Sequence, residues 1–138
     1  IGYIKYLRDN GINVHNFHGL SHSEMTKVWS ETKIGLNFSK NYNGNPVKTQ
    51  MKLRPFEIAA AKDTMVMSEY HEGLEYFFNI DKEIVCFKDS EQLLQKISIL
   101  LKKENLRKNI AKRGNDRFER EHCSHERMDQ ILKEIYKV

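Results

Sequence analysis

Apolar residues along this chain switch repeatedly between a helical period and a strand-like period of two, which predicts helices and strands in turn. Ile4, Leu7 and Ile12, with polar residues between them, predict a first helix that Asn10-Gly11 ends. Ile12-Asn-Val-His-Asn-Phe17 then alternates as a strand would and leads into His18-Gly19. Ser21 with Glu24 three residues on is a capping-box pattern, and Met25, Val28 and Trp29 supply the apolar face of the helix it opens. Ile34, Leu36 and Phe38 alternate in the next strand, Lys33-Ile-Gly-Leu-Asn-Phe-Ser39. The connection from Lys40 to Met51, with Asn41, Asn43, Gly44, Asn45 and Pro46, is long for a compact α/β unit, as functional loops often are. A short helix at Pro55, a buried strand over Thr64-Met-Val-Met-Ser68, a short helix between Gly73 and Phe78 and a strand over Glu83 to Phe87 follow. Asp89 or Ser90 caps a helix faced by Leu93, Leu94, Ile97, Leu100 and Leu101. Two more helices, 105 to 121 and 125 to 137, break near Cys123-Ser124, with Met128, Ile131, Leu132 and Ile135 as the last apolar stripe.

Strands alternating with helices predict a parallel sheet, and in open parallel sheets ligands bind beyond the carboxyl ends of the strands. The His18-Gly19-Leu20 loop and the Lys40 to Met51 loop both follow strands, so both are placed to border one crevice. Between them falls the most chemically pointed stretch, Lys52-Leu-Arg-Pro-Phe-Glu-Ile-Ala-Ala-Ala-Lys62. Proline is favoured at the first helical position, so Pro55 marks a helix start that leaves the amides of Phe56 and Glu57 free for an anion. Lys48, Lys52 and Arg54 reinforce the positive end of that helix, while Glu57 is placed to accept hydrogen bonds from vicinal hydroxyls. Phosphate together with ribose means a nucleotide.

At 138 residues and 39% hydrophobic content, the chain suits one layered domain, residues 1–138. It opens at Ile1, without Met, inside a helical pattern, which predicts a larger protein with an N-terminal part ahead of it. Nothing resembles a signal peptide or an apolar membrane span, and Cys86 and Cys123 have no paired spacing, which predicts a cytoplasmic protein. The net charge of +4 is concentrated: residues 1 to 101 carry twelve basic and twelve acidic side chains, whereas residues 102 to 120 carry eight basic against three acidic ones. Lys102, Lys103, Arg107, Lys108, Lys112, Arg113, Arg117 and Arg120 form either a solvated helix face or a peripheral contact with an anionic membrane surface.

Phe17-His-Gly-Leu-Ser21, Lys33-Ile-Gly-Leu-Asn-Phe38, Lys52-Leu-Arg-Pro-Phe-Glu-Ile-Ala59 and Glu121-His122 with Arg127, in that order, resemble the C-terminal, donor-binding half of GT-B glycosyltransferases. The likeness is to the group-one branch that includes the spore-maturation CgeB-like proteins, and it covers nearly the whole chain. It implies a Rossmann-like three-layer α/β domain with a parallel sheet and a helical C-terminus. It also implies transfer of a hexosyl group from a nucleotide-diphosphate sugar, such as a UDP-sugar, in bacterial cell-envelope or glycoconjugate synthesis. In that family the glutamate at the position of Glu57 holds the ribose hydroxyls. The loop before it and the helix amides, Phe56 included, meet the diphosphate, and the loop matching His18, Gly19 and Leu20 borders the base. Many retaining relatives carry a second glutamate eight residues before the ribose-binding one; here Thr49 stands there, beside Gln50, which leaves sugar and stereochemistry open. The acceptor site and any catalytic base lie in the relatives' N-terminal domain, so this chain alone is expected to bind without turnover.

Charge building on a departing diphosphate needs stabilisation, and helix amides with Lys52 and Arg54 offer it without a metal or another cofactor. Other classes fit less well. Adjacent His122, Cys123 and His125 make a weak zinc signal. A phosphorylatable receiver domain needs an acidic acceptor at a strand end, where only Asn37 and Glu69 stand. A nucleic-acid module would use the basic block, which has no interleaved aromatic residue beyond Phe118, so no nucleic-acid partner is expected. A donor domain turned interaction or regulatory module is the alternative of another class. Glu121-His122 and Arg127 read as a helix junction packed on the sheet, and Trp29, Phe77 and Phe78 as core.

Overall fold

Burial of β-branched, sulfur-containing and aromatic side chains in short runs builds a three-stranded parallel sheet in the order β1(Ile34–Asn37), β4(Met65–Glu69), β5(Val85–Phe87). The structure is a computed structural model that describes residues 2–41 and 47–137. A two-residue antiparallel ribbon, β2(Lys40–Asn41) with β3(Lys48–Thr49), rises from the carboxyl end of β1. Asn43, Gly44, Asn45 and Pro46, on which part of the long-loop reading rests, lie outside the described residues.

The period of two divides the sheet's side chains between two cores. Met65, Met67, Val85 and Phe87 face one side, with α1(Gly2–Asp9) and α4(Ser90–Lys102) over them through Leu7, Leu93 and Ile97. Val66, Ile84 and Cys86 face the other, under α3(Arg54–Ala60), with Trp29 of α2(His22–Glu31) packed against the same cluster. Helices on both faces of a parallel sheet make a Rossmann-like three-layer α/β domain. The chain then closes with α5(Glu104–Arg117), a single π-helical turn at Phe118–His122, and α6(Ser124–Ile135).

Two close approaches set the helices. A Cβ on Gly35 would lie 2.7 Å from Ile58 Cγ2, so glycine lets α3 sit down on β1. A Cβ on Gly114 would meet the Glu83 carbonyl oxygen at 2.5 Å, which holds α5 against the turn ahead of β5. Asn115 donates its side-chain amide to the Ala59 carbonyl (2.8 Å), tying α5 to the end of α3.

Local signals were mostly kept. Ser21 and Glu24 form a complete capping box on α2, and Asp89 rather than Ser90 caps α4. Residues Gly73 to Phe78 contain only a 3₁₀ turn, Leu74–Tyr76, and the strand expected from Glu83 starts at Val85. The helix break falls at Cys123, but the stripe of Met128, Ile131, Leu132 and Ile135 on α6 is exposed.

One reading fails. In Ile12 to Phe17 only Ile12 and Val14 are half-buried, His15 to Phe17 are exposed, and the segment joins no sheet among the described residues. Its backbone is held instead by α1: the Arg8 guanidinium donates twice to the Val14 carbonyl, at 3.1 and 2.9 Å, and Ile12 N–H donates to the Leu7 carbonyl. A strand pattern needs a neighbouring backbone to become a strand, and β1 does not reach it.

Candidate functional site

Chain geometry brings the charged residues of the Lys52 stretch to the carboxyl end of β1. Asn37 and Phe38 leave β1 there, and Lys52, Leu53, Arg54 and Glu57 enter α3 beside them, enclosing a cleft of about 350 Å³. That lies within the range of ligand pockets, about 300–1,000 Å³. Arg54 and Glu57 are exposed and Lys52 is half-buried, and none of the three makes an ion pair or side-chain hydrogen bond among the described residues. Two cations and a carboxylate lining one concavity form a polar site whose side chains have no partner among the described residues.

The helix start differs from the sequence expectation. Arg54 is the first residue of α3 and Pro55 the second, and Phe56 and Glu57 both donate their amides to the Leu53 carbonyl, at 3.0 and 3.1 Å. Those amides are therefore engaged, and any anion in the cleft must rely on the side chains of Lys52 and Arg54. The ring of Phe56 turns inward, edge-on to Phe77 and to His122 at centroid distances of 5.5 and 5.2 Å. It anchors the start of α3 from below.

Residues of the neighbouring loops are less concentrated. Lys48 and Thr49 form β3 and are exposed; Gln50, also exposed, donates its amide to the Ser39 carbonyl (2.9 Å) and so roots the ribbon beside the cleft. His18, Gly19 and Leu20 are not among the residues lining the cleft; Gly19 has a positive φ of 68°, which turns the chain between the extended segment and α2.

A carboxylate not assigned a role from the sequence dominates the ground beneath. Glu69, at the end of β4, is 1% exposed and accepts the amides of Ser39 (3.0 Å) and Lys40 (3.1 Å) and the hydroxyl of Tyr3 (2.9 Å). Lys40 Nζ lies 3.2 Å from it. Beside it, the Asn37 side-chain amide donates to Ser68 Oγ (2.9 Å), and Ser39 Oγ donates to the Glu69 carbonyl (2.7 Å). These bonds close the end of the β1–β4 pair and fix where the ribbon departs. The only signal for Glu69 was an acid at a strand end.

The C-terminal junction is bolted to the same region. Arg127 donates to His122 Nδ1 (2.7 Å), which leaves His122 Nε2 to donate to the Phe77 carbonyl (2.6 Å). Burial holds His122 below the ordinary histidine range; the nearby Arg127 and Arg117 guanidiniums act in the same direction, against the Phe77 carbonyl. Arg117 is paired with Glu83 (3.3 Å) and Glu121 (2.6 Å). Within the basic block, Arg107 is buried and Lys108, Lys112 and Arg120 are ion-paired, leaving Lys102 at the end of α4, Lys103 between the helices and Arg113 of α5 as exposed cations without an ion pair among the described residues.

The sequence profile of the family described as glycosyl transferase-like matches residues 2–133. The chain belongs to that family. No curated protein and no solved structure matches the chain. In this glycosyl transferase-like domain the family match spans the sheet, the cleft and the His122 junction together, so the general role is glycosyl transfer. No helix among the described residues is long and apolar enough to cross a membrane.

Proposed function

We propose that the cleft at the start of α3 binds the nucleotide-diphosphate part of a sugar donor, and that the chain is the donor domain of a GT-B-type hexosyltransferase. The observation that carries this reading is the meeting of Lys52, Arg54 and Glu57 in one concavity at the carboxyl end of a parallel strand. Ribose offers two adjacent hydroxyl donors, which suits a carboxylate with no partner among the described residues. A diphosphate offers several anionic oxygens, which suit a planar, bidentate guanidinium and a neighbouring ammonium. Arg54 and Lys52 stabilise the charge that builds on the departing diphosphate, and they do so as side chains, since the amides of Phe56 and Glu57 are occupied. His18, Gly19 and Leu20 border the base, and Lys48, Thr49 and Gln50 approach the diphosphate or sugar from the ribbon. The acceptor and the catalytic base belong to another domain of the full protein, and the site of action is the cytoplasm, with Lys102, Lys103 and Arg113 available to an anionic membrane surface.

Calorimetric titration with UDP, GDP, dTDP, CDP and ADP tests the reading, with Glu57→Ala and pyrophosphate run in parallel. Selective binding of one nucleotide, weakened in Glu57→Ala while pyrophosphate is unaffected, supports the donor site and identifies the base. Equal loss for nucleotide and pyrophosphate removes the ribose role. Absence of binding by the folded chain at millimolar concentration favours an interaction module.

A further inference from the structure

Asn37, the last residue of β1, lines the charged cleft and is only 2% exposed. Side chains alternate along a strand, so Ile34, Leu36 and Phe38 point to the core under α1 and α4, while Gly35 and Asn37 point to the α3 face. Gly35 marks a level on that face, because a Cβ there would lie 2.7 Å from Ile58 Cγ2. Two residues further along β1 is a climb of about 6.6 Å, and four residues back along α3, from Ile58 to Arg54, is about 6 Å. Asn37 therefore stands level with the first turn of α3, where Arg54 and Glu57 open into the cleft.

Its amide is oriented from behind. Ser68 of β4 is the register partner of Asn37, and the Ser68 hydroxyl lies 3.0 Å from the Glu69 carbonyl, which can only accept. Ser68 gives its hydrogen to that carbonyl and is left to accept from Asn37, whose NH₂ group meets it at 2.9 Å. The Asn37 carbonyl oxygen is thereby turned away from Ser68, and it has no hydrogen-bond partner among the described residues. A buried amide oxygen needs a partner. The side-chain atoms sealed from solvent without one are, among the described residues, Trp29 Nε1 and His71 Nδ1, so the Asn37 oxygen is not closed off: it opens to the cleft its side chain lines.

The other polar side chains at the cleft are charged, Lys52 and Arg54 as donors and Glu57 as an acceptor. A neutral carbonyl oxygen does nothing for a diphosphate, whose oxygens are acceptors too, but it suits a hydroxyl. We propose that Asn37 is a specificity residue of the donor site, its side-chain oxygen accepting a hydrogen bond from a hydroxyl of the sugar donor, either of the ribose or of the transferred sugar. The proposal rests on the reading of the cleft as a donor site. Ser68 is the positioning residue that fixes which end of the amide faces the ligand. Because that end cannot turn without losing Ser68, a ligand lacking the hydroxyl leaves the oxygen without a partner, which is how a polar site rejects a deficient analogue.

The test is calorimetric titration of the wild type, Asn37→Leu and Asn37→Asp, with folding checked by thermal unfolding. The ligands are pyrophosphate, the best binder among UDP, GDP, dTDP, CDP and ADP, and the glucose and N-acetylglucosamine conjugates of that nucleotide. Asn37→Leu is expected to hold pyrophosphate affinity within about twofold and to weaken the nucleotide about fivefold or more where the ribose supplies the hydroxyl. Where the transferred sugar supplies it, the same variant erases the advantage of a conjugate over the nucleotide. Asn37→Asp keeps an acceptor and adds a charge that pairs with Lys52 or Arg54, so it should weaken pyrophosphate while preserving the advantage of the nucleotide over it. Parallel loss of every ligand in both variants means that Asn37 only props the cleft, and overturns the proposal. Unchanged affinities in Asn37→Leu overturn it while leaving the donor site standing. A wild-type chain that binds no nucleotide removes the donor site and this proposal together.

Discussion

Two glutamates stand near the carboxyl end of the sheet, and their surroundings are opposite. Glu69 is buried and saturated by two amides, a hydroxyl and an ammonium, whereas Glu57, at the start of α3, is exposed and has no partner among the described residues. A buried carboxylate persists only when such bonds replace its hydration, so Glu69 has no capacity left for a ligand. Glu57 keeps all of its capacity. The difference separates what holds the cleft from what works in it: Glu69 fixes Ser39 and Lys40, hence the root of the ribbon, and Glu57 meets whatever enters.

The sharpest way to break this contrast is Glu69→Ala. It leaves buried amides and Tyr3 without partners, and a loss of about 3–5 kcal/mol is expected in urea unfolding, as for removal of one member of a buried charged network. A loss below about 1 kcal/mol would deny Glu69 its structural part. Gly35→Ala comes next. Its Cβ would press on Ile58 at 2.7 Å and displace α3, and so Glu57, while leaving Glu69 untouched. About 1–3 kcal/mol of stability is expected to go, with weaker nucleotide binding, read by thermal unfolding and calorimetry. Glu57→Ala should do the reverse of Glu69→Ala, changing stability by less than about 0.5 kcal/mol, as at an ordinary surface site. Its effect should appear in nucleoside diphosphate affinity, reduced about tenfold or more, which corresponds to about 1.4 kcal/mol. Arg54→Ala should reduce the preference for diphosphate over nucleoside by a smaller factor, and an unchanged ratio would remove Arg54 from the site.

The smallest effect concerns pH and the bolt under α3. Because the folded protein holds His122 below its usual range, folding favours the neutral ring. Its contribution is complete above the unfolded histidine value of about 6.5 and is lost as pH falls from there through the lowered folded value. Urea midpoints measured through that window should decline, and His122→Gln should flatten the decline. Cys86 behaves oppositely: burial pushes its thiol up to about 12, so it should resist thiol reagents at neutral pH in the folded protein.

Much of this was legible residue by residue. The capping box at Ser21 and Glu24, the cap at Asp89 or Ser90, the alternation in β1, the buried run of β4 and the run from Lys52 to Glu57 depend on side chains a few positions apart, and local rules describe such pairs. The helix start was read one position late in its consequence, because proline marked the first turn correctly but not the two bonds that Leu53 accepts. The basic block was read as one unit, whereas Arg107 and Arg117 turn inward to partners set by the fold, the Leu100 carbonyl and Glu83.

By itself, the sequence determined the alternation of helices and strands, the parallel sheet between two helical layers, and the placing of two cations and an acid at one helix start, because periodicity and short-range spacing survive in any compact arrangement. Only the tertiary structure decided that Glu69 and not Glu57 is the structural acid, that the amides of Phe56 and Glu57 are occupied, and that Ile12 to Phe17 stands apart from β1. Each of these depends on which backbone lies across from which, and contacts between residues some thirty positions apart, such as Ser39 with Glu69, leave no periodic mark in the chain.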